Sequence, residues 1–175
     1  NPVKQVSLPK ESAHRDRVLT ETERLNLYKA CEYNPIYYMR NYVELAFETL
    51  CRRGELLDIR FEDINLADKT ALIRITKTGK PRRIGLSIRA MEIIKSIPRT
   101  VNGKLFNVNS ISWFEKCFKR AVANAGLSNF TAHDLRHCGA TFLAEQSWTT
   151  QELMAQGGWQ SAEMVKRYSN ISSKH

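Results

Sequence analysis

Four clusters in the sequence carry side chains able to act on a phosphate. The first is Arg52-Arg53-Gly54-Glu55. Arg52 and Glu55 are three residues apart, so they share a helical face. An exposed ion pair would use the same residues. The second is Thr76-Lys77-Thr78-Gly79-Lys80-Pro81-Arg82-Arg83, four cations within seven residues of a turn. Such a tip reaches a phosphate backbone, or it guards a sheet edge against aggregation. The third is His133-Asp134-Leu135-Arg136-His137. His133 lies on one helical face with Arg136 and with His137, and two donors on one face grip an oxyanion. A helix-start histidine beside a surface arginine is the plainer alternative. The fourth is Gly157-Gly158-Trp159, followed nine residues later by Tyr168 on the basic segment Lys166-Arg167.

His-Asp-Leu-Arg-His also brings to mind the zinc-protease spacing His-Glu-x-x-His. The base position holds Asp134, one methylene shorter than Glu. A third ligand is lacking downstream except the terminal His175. Arg136 would set a fixed positive charge beside the metal. No metal or cofactor is therefore expected.

The elements that must hold these clusters are readable from periodicity. Residues 1–19 are polar and basic, with Pro2 and Pro9, and read as a linker or arm. Thr20 and Glu23 form a capping box that opens a helix reaching Glu32. Asn34-Pro35 is expected to cap a second helix, with Pro in its first position, and a short third helix should cover Arg53 to Ile59. The period then switches to two at Ala71, Ile73 and Ile75. Arg82–Leu86 is the return strand, and Phe61–Ile64 is expected to add a third. Ser87, Ser110, Thr131, Thr149 and Ser161 each start a later helix. The expected fold is α+β: one mainly α-helical domain, residues 20–175, with a small three-stranded antiparallel sheet.

Composition sets the outer bounds. The chain has 175 residues, 42% hydrophobic and 26% charged, which is ordinary for a globular domain. That length buries roughly 70% of the unfolded surface, so no disulfide or metal staple is needed. No uncharged apolar run nears the ~18 residues of a membrane span. Cys31, Cys51, Cys117 and Cys138 form no Cys-x-x-Cys pair, which suits buried free thiols in a reducing cytoplasm. With 27 Lys and Arg against 18 Asp and Glu the net charge is +9, pointing to a polyanionic partner, most simply nucleic acid.

Together the clusters form an ordered set that resembles the catalytic domain of the tyrosine recombinases, the phage-type integrase family, over roughly residues 20–170. The stretch from Thr131 to Thr141 is similar to the family's second box, and the step from Trp159 to Tyr168 has the family spacing. The family often has Thr-Gly-Leu-Arg at its first box, where this chain has Thr49-Leu50-Cys51-Arg52. It more often has His than Trp at position 159, and often Pro-Leu where Gly85-Leu86 closes the hairpin.

The resemblance implies roles. Arg52 and Arg136 clamp the non-bridging oxygens, as planar guanidinium forks do. His133 adds a donor and shuttles a proton. Trp159 gives an indole N–H and packs. Tyr168 is the nucleophile, Lys77 protonates the leaving 5′-oxygen, and Glu55 orients the Arg52 and His133 side. The product is a 3′-phosphotyrosine, with no metal or ATP. Lys80, Arg82, Arg83, Lys119 and Arg120 are the candidate phosphate contacts along double-stranded DNA. The family also implies a synaptic tetramer on paired sites, accessory DNA-bending proteins, and a cytoplasmic setting in a bacterial or phage-infected cell. It implies an N-terminal core-binding domain as well, which is expected to precede residues 1–19 and to be absent from this sequence. The missing Met then reads as truncation, and the fragment alone is expected to be monomeric. Two rival readings stay open on these residues: a type IB topoisomerase-like strand transferase, and a catalytically silent DNA-binding module.

Overall fold

The computed structural model describes residues 17–74 and 79–169. Most of the expected arm (1–16), the tip residues 75–78 with Lys77, and the tail 170–175 lie outside them. Among the described residues eight α-helices and three short strands follow in order. They are α1 (Glu21–Glu32), α2 (Met39–Thr49), α3 (Arg53–Asp58), β1 (Ile64–Asn65), β2 (Thr70–Ile73), β3 (Arg82–Gly85), α4 (Ile88–Ser96), α5 (Ile111–Asn124), α6 (Ala132–Glu145), α7 (Thr150–Gly157) and α8 (Ala162–Ser169). This is the expected mainly helical α+β architecture. The sheet is antiparallel in the order β1-β2-β3, with Ala71 opposite Ile84 and Ile73 opposite Arg82. Among the described residues no helix is long and apolar enough to cross a membrane.

Helix starts follow the caps. Thr20 accepts from the Glu23 N–H while Glu23 takes the Thr20 N–H at 2.9 Å. This reciprocal pairing satisfies two otherwise orphaned donors. Two expected elements differ. The second helix begins at Met39 rather than Pro35, although the Asn34 side chain makes a cap-like bond over Pro35. Its Oδ1 accepts from the Ile36 N–H at 3.0 Å and its Nδ2 donates to the Cys117 carbonyl at 2.9 Å. That local turn ties the loop to α5 and delays the helix. The strand expected over Phe61–Ile64 is a 3₁₀ turn over Phe61–Asp63, with strand only from Ile64. Asp63 accepts from the Arg60 N–H at 3.0 Å, which turns the backbone.

The core gathers around α2, which packs on α1, α4 and α6. Tyr42, Phe106 and Phe114 meet there edge to face, a favoured aromatic arrangement. A second apolar cluster joins Leu50, Ala140, Ala144, Leu153, Val165 and Tyr168, and carries α7 and α8. Residues 17–19 of the expected arm lie against the domain: Arg17 donates to the Ser128 carbonyl at 2.7 Å, and Leu19 packs on the core. All four cysteines are buried and free.

Leu50 ends α2 in the left-handed region, at φ 57° and ψ 18°. Glycine is the residue that enters this region without cost. Leu50 remains because its side chain is fully buried in the second cluster. The close approach that makes this possible is at Gly139, where an added Cβ would stand 2.1 Å from the Phe47 carbonyl oxygen and 2.6 Å from Leu50 Cδ2. Gly139→Ala should therefore push α6 off α2 and cost about 1–3 kcal/mol, as overpacking does. Chemical denaturation reads it, and an unchanged midpoint would contradict the packing.

Candidate active site

Described residues of the four motif clusters, with Arg82 from the second, meet around the C-terminal end of α7. Arg136, on α6, is 1% exposed and among the largest fully buried side chains of the described residues. Its Nη1 donates at 2.6 Å to both the Leu50 and Gly157 carbonyls. Its guanidinium lies 3.9 Å from the centroid of the Trp159 ring, within cation–π range. Arg52, just ahead of α3, reaches the next carbonyl along, Gly158, through Nη2 at 3.5 Å. Both arginines thus sit at a helix C-terminus, where the peptide dipoles favour positive charge. Burial and the neighbouring charges of Arg52 and Arg82 bring the Arg136 pKa down to about 10. It stays protonated at neutral pH.

Glu55 faces both basic clusters. Its carboxylate accepts from the Arg52 backbone N–H and Nη1 at 2.9 Å each, and from Arg82 Nη1 and Nη2 at 2.9 and 2.8 Å. Burial alone would raise its pKa, but these hydrogen bonds outweigh it and hold the carboxyl below its ordinary range. Glu55 therefore meets Arg52 as expected.

Arg82 departs from the expectation of a surface phosphate contact. Its side chain is only 14% exposed and is committed to Glu55. The physical reason is strand alternation: Arg82 stands two residues before buried Ile84, so both point inward. Arg83 points the other way, into a concavity shared with Glu62, Asp63 and Arg74. Lys80, Lys119 and Arg120 are exposed, and Lys119 lines a groove with Thr131 and Ala132 beside the start of α6. Lys77 lies outside the described residues.

Asp134 does not face outward as a catalytic base would. It is buried and accepts from the Thr131 N–H at 2.7 Å and the Thr131 hydroxyl at 2.8 Å, closing the first turn of α6. That cap fixes His133 on the open side of the helix, where its ring meets His137 edge to face at 4.6 Å. Desolvation, with the charges of Arg136, Arg167 and Arg52, lowers the His133 pKa. His133 thus feels all three arginines.

Tyr168 projects from α8 into this site. Its ring is 5.6 Å from that of Trp159, and the residue is 3% exposed. Its hydroxyl hydrogen-bonds His137 Nδ1 and accepts from Arg167 Nη2 at 2.9 Å. The Trp159 turn depends on Gly158, whose φ of 69° suits glycine. Sequence reasoning assigned no role to His137, Arg167 or Gln156. Gln156 is a buried amide joining α7 to β3 through the Gly85 N–H and C=O, and to α2 through the Thr49 carbonyl. Its three-residue spacing from Leu153 marked the inward face of α7.

His137 makes a pH prediction. Desolvation, then the Arg167 charge, takes its pKa from 6.5 to about 3. The unfolded state therefore binds the proton first. Stability is intact above pH ~6.5 and is lost as pH falls toward about 3. The groups facing it are His133, Asp134, Arg136, Arg167 and Tyr168. Denaturation midpoints should fall between pH ~6.5 and 4.5, above the ordinary carboxylate range. His137→Asn should flatten that slope, leaving the part due to His133, and an unchanged slope would contradict the assignment.

Comparison with known proteins follows the same lines. Residues 17–175 match the family model described as the phage integrase family. The chain is 35% identical over 174 residues to a shufflon-specific DNA recombinase of Escherichia coli, covering 98% of this chain and 44% of that protein. It is 26% identical to the integrase of Salmonella phage P22, covering 97% of this chain and 48% of that protein. The chain thus spans about half the length of these curated relatives. Its fold matches the catalytic domain of bacteriophage HP1 integrase at a TM-score of 0.75 and 22% identity, covering 90% of this chain and 89% of that one. It matches a lambda integrase dimer bound to a COC′ core site at a TM-score of 0.74 and 25% identity, covering 94% of this chain and 51% of that one. On the family model and the site it coincides with, this chain belongs to the phage integrase family.

Proposed function

We propose that the chain is the catalytic part of a site-specific DNA recombinase that cuts and rejoins strands through a 3′-phosphotyrosine. The observation that carries this is the meeting of Arg52, Arg136, Trp159 and Tyr168 at the end of α7. Cleaving a phosphodiester requires fixed positive charge where negative charge develops, in a site that excludes water. Arg136 supplies a buried, preorganised charge, and Arg52 a half-buried one.

In the proposed reaction Arg136 keeps Nη1 on the Leu50 and Gly157 carbonyls and presents its other N–H groups to a phosphate that Arg52 also grips. Tyr168 gives up its contacts to His137 and Arg167, loses its phenolic proton to neutral His133 and attacks the phosphorus in line. The P–O5′ bond breaks, and Lys77 gives its proton to the departing oxygen. His133 donates to the phosphate, and its lowered pKa keeps it neutral at pH 7, ready to pass a proton. Trp159 has no titratable proton and serves by packing against Arg136. The phosphotyrosine conserves the bond for religation, so ATP is not required.

Lys80, Arg83, Lys119 and Arg120 are proposed phosphate contacts along the duplex. Contacts of this kind position DNA without reading its sequence and weaken steeply with salt. A synaptic tetramer on paired sites, with accessory DNA-bending proteins, belongs to the same proposal for the whole protein.

The test is a nicked suicide duplex whose short 5′-hydroxyl fragment diffuses away after cleavage. The chain should form an SDS-resistant protein–DNA adduct, equally in EDTA and without ATP. No adduct on any duplex would leave a silent DNA-binding module. Rapid relaxation of supercoiled plasmids lacking a defined site would instead favour topoisomerase chemistry.

A further inference from the structure

Arg82 has no assigned role in the reaction, yet it makes the most complete ion pair in the site. Both its terminal nitrogens engage both oxygens of Glu55, at 2.9 and 2.8 Å. This bidentate geometry is directional as well as strong. Its Nε faces the Gln156 carbonyl at 3.4 Å. Its guanidinium occupies the space where a side chain at position 158 would begin, 2.8–2.9 Å from an added Cβ on Gly158. Arg82 therefore touches α3 and α7 at once, from the first residue of β3.

Two consequences follow. The first is geometric. Glu55 has four donors, two from Arg52 and two from Arg82. With Arg82 in place the carboxylate cannot rotate, so Arg52 Nη1 has one docking direction and Nη2 stays beside the Gly158 carbonyl. The second is electrostatic. A lone Glu55–Arg52 pair would cancel the charge offered to a phosphate. Sharing the carboxylate between two arginines leaves a net positive charge on the triad. Arg136 adds another: the charges of Arg52 and Arg82 both act on it.

We infer that Arg82 is a positioning residue for phosphodiester cleavage: through Glu55 it sets Arg52, keeps the site cationic, and ties the strand leaving the Lys77 hairpin to the arginine that grips phosphate. The inference rests on the recombinase reading for its catalytic consequence, but the Arg82–Glu55–Arg52 link is testable apart from it.

The test measures single-turnover cleavage on the suicide duplex at saturating DNA, alongside non-covalent affinity. Arg82→Gln should slow cleavage tenfold to hundredfold, roughly the effect of a small misplacement of a catalytic group, with affinity changed less than about threefold. Arg82→Lys keeps the charge but loses the fork, and should recover part of the rate. Adding Arg82→Gln to Glu55→Gln should cost little more than Glu55→Gln alone, because both act through one carboxylate. Losses that multiply across the pair, or a rate within twofold of the parent, would overturn the inference. If Arg82→Gln does not fold, Arg82→Lys carries the same cycle. If the parent itself forms no adduct, the recombinase reading falls. NMR of the guanidinium groups then decides the link by itself. Arg52 should show hindered rotation in the parent and free rotation in Arg82→Lys or Arg82→Gln. Free rotation in the parent overturns the link.

Discussion

Tyr168→Phe should abolish the covalent adduct entirely while leaving the domain folded. The substitution removes one oxygen and nothing else. The ring keeps its contact with Trp159 and its place among Leu50, Leu153 and Val165. The lost hydrogen bonds are those to His137 and Arg167, worth about 1 kcal/mol each in net stability. Denaturation should therefore show a modest shift, and salt-dependent DNA binding should be unchanged. A free phenol has a pKa of ~10 and is a weak nucleophile at neutral pH. The donor at Arg167 favours the phenolate, and His137 Nδ1 stands at the same hydroxyl. An SDS-resistant adduct formed by Tyr168→Phe would remove Tyr168 from the nucleophile role.

Arg136→Lys is expected to lower the cleavage rate by about two to three orders of magnitude, as loss of one preorganised donor to a developing oxyanion does. Lysine keeps the charge but not the planar fork. One ammonium on a flexible stem cannot hold the Leu50 and Gly157 carbonyls as Arg136 does and also present a fixed donor to a phosphate. Without the planar group, lysine also loses the stacking on the face of Trp159, which the guanidinium now covers at 3.9 Å. Rates at saturating DNA separate this from weakened binding. A fall in affinity with the saturated rate unchanged would make Arg136 a ground-state DNA contact only.

These two residues also show how far sequence reading reaches. Residue type and spacing were enough to single out Arg52, His133, Arg136, Trp159 and Tyr168, because boxes built on helices repeat fixed local geometry. The Arg52–Glu55 and His133–Arg136 steps are each one helical turn. Caps placed the helix starts for the same local reason: Thr20, Ser87, Ser110 and Thr149 each accept from an N–H three residues on. The start expected at Pro35 fails for a non-local reason: the Asn34 side chain also reaches the Cys117 carbonyl on α5, far away in sequence. Arg82 was read as surface because charge on a hairpin suggests a duplex. Its alternation with Ile84 already pointed inward, but a buried arginine is acceptable only with a partner. That partner, Glu55, is 27 residues away in sequence.

By itself, then, the sequence determined the boxes, the helix starts other than that of α2, the α+β class and the family resemblance, all of which rest on short-range periodicity and spacing. The tertiary structure alone decided what each charge is for. It turned Asp134 into a helix cap, sank Arg136 under Trp159 and gave Tyr168 to His137 and Arg167. It also set Arg82 and Arg52 on one carboxylate. Charge compensation in a buried site depends on which distant groups come within hydrogen-bonding reach, and only the packing of α3, α6, α7 and β3 brings them there.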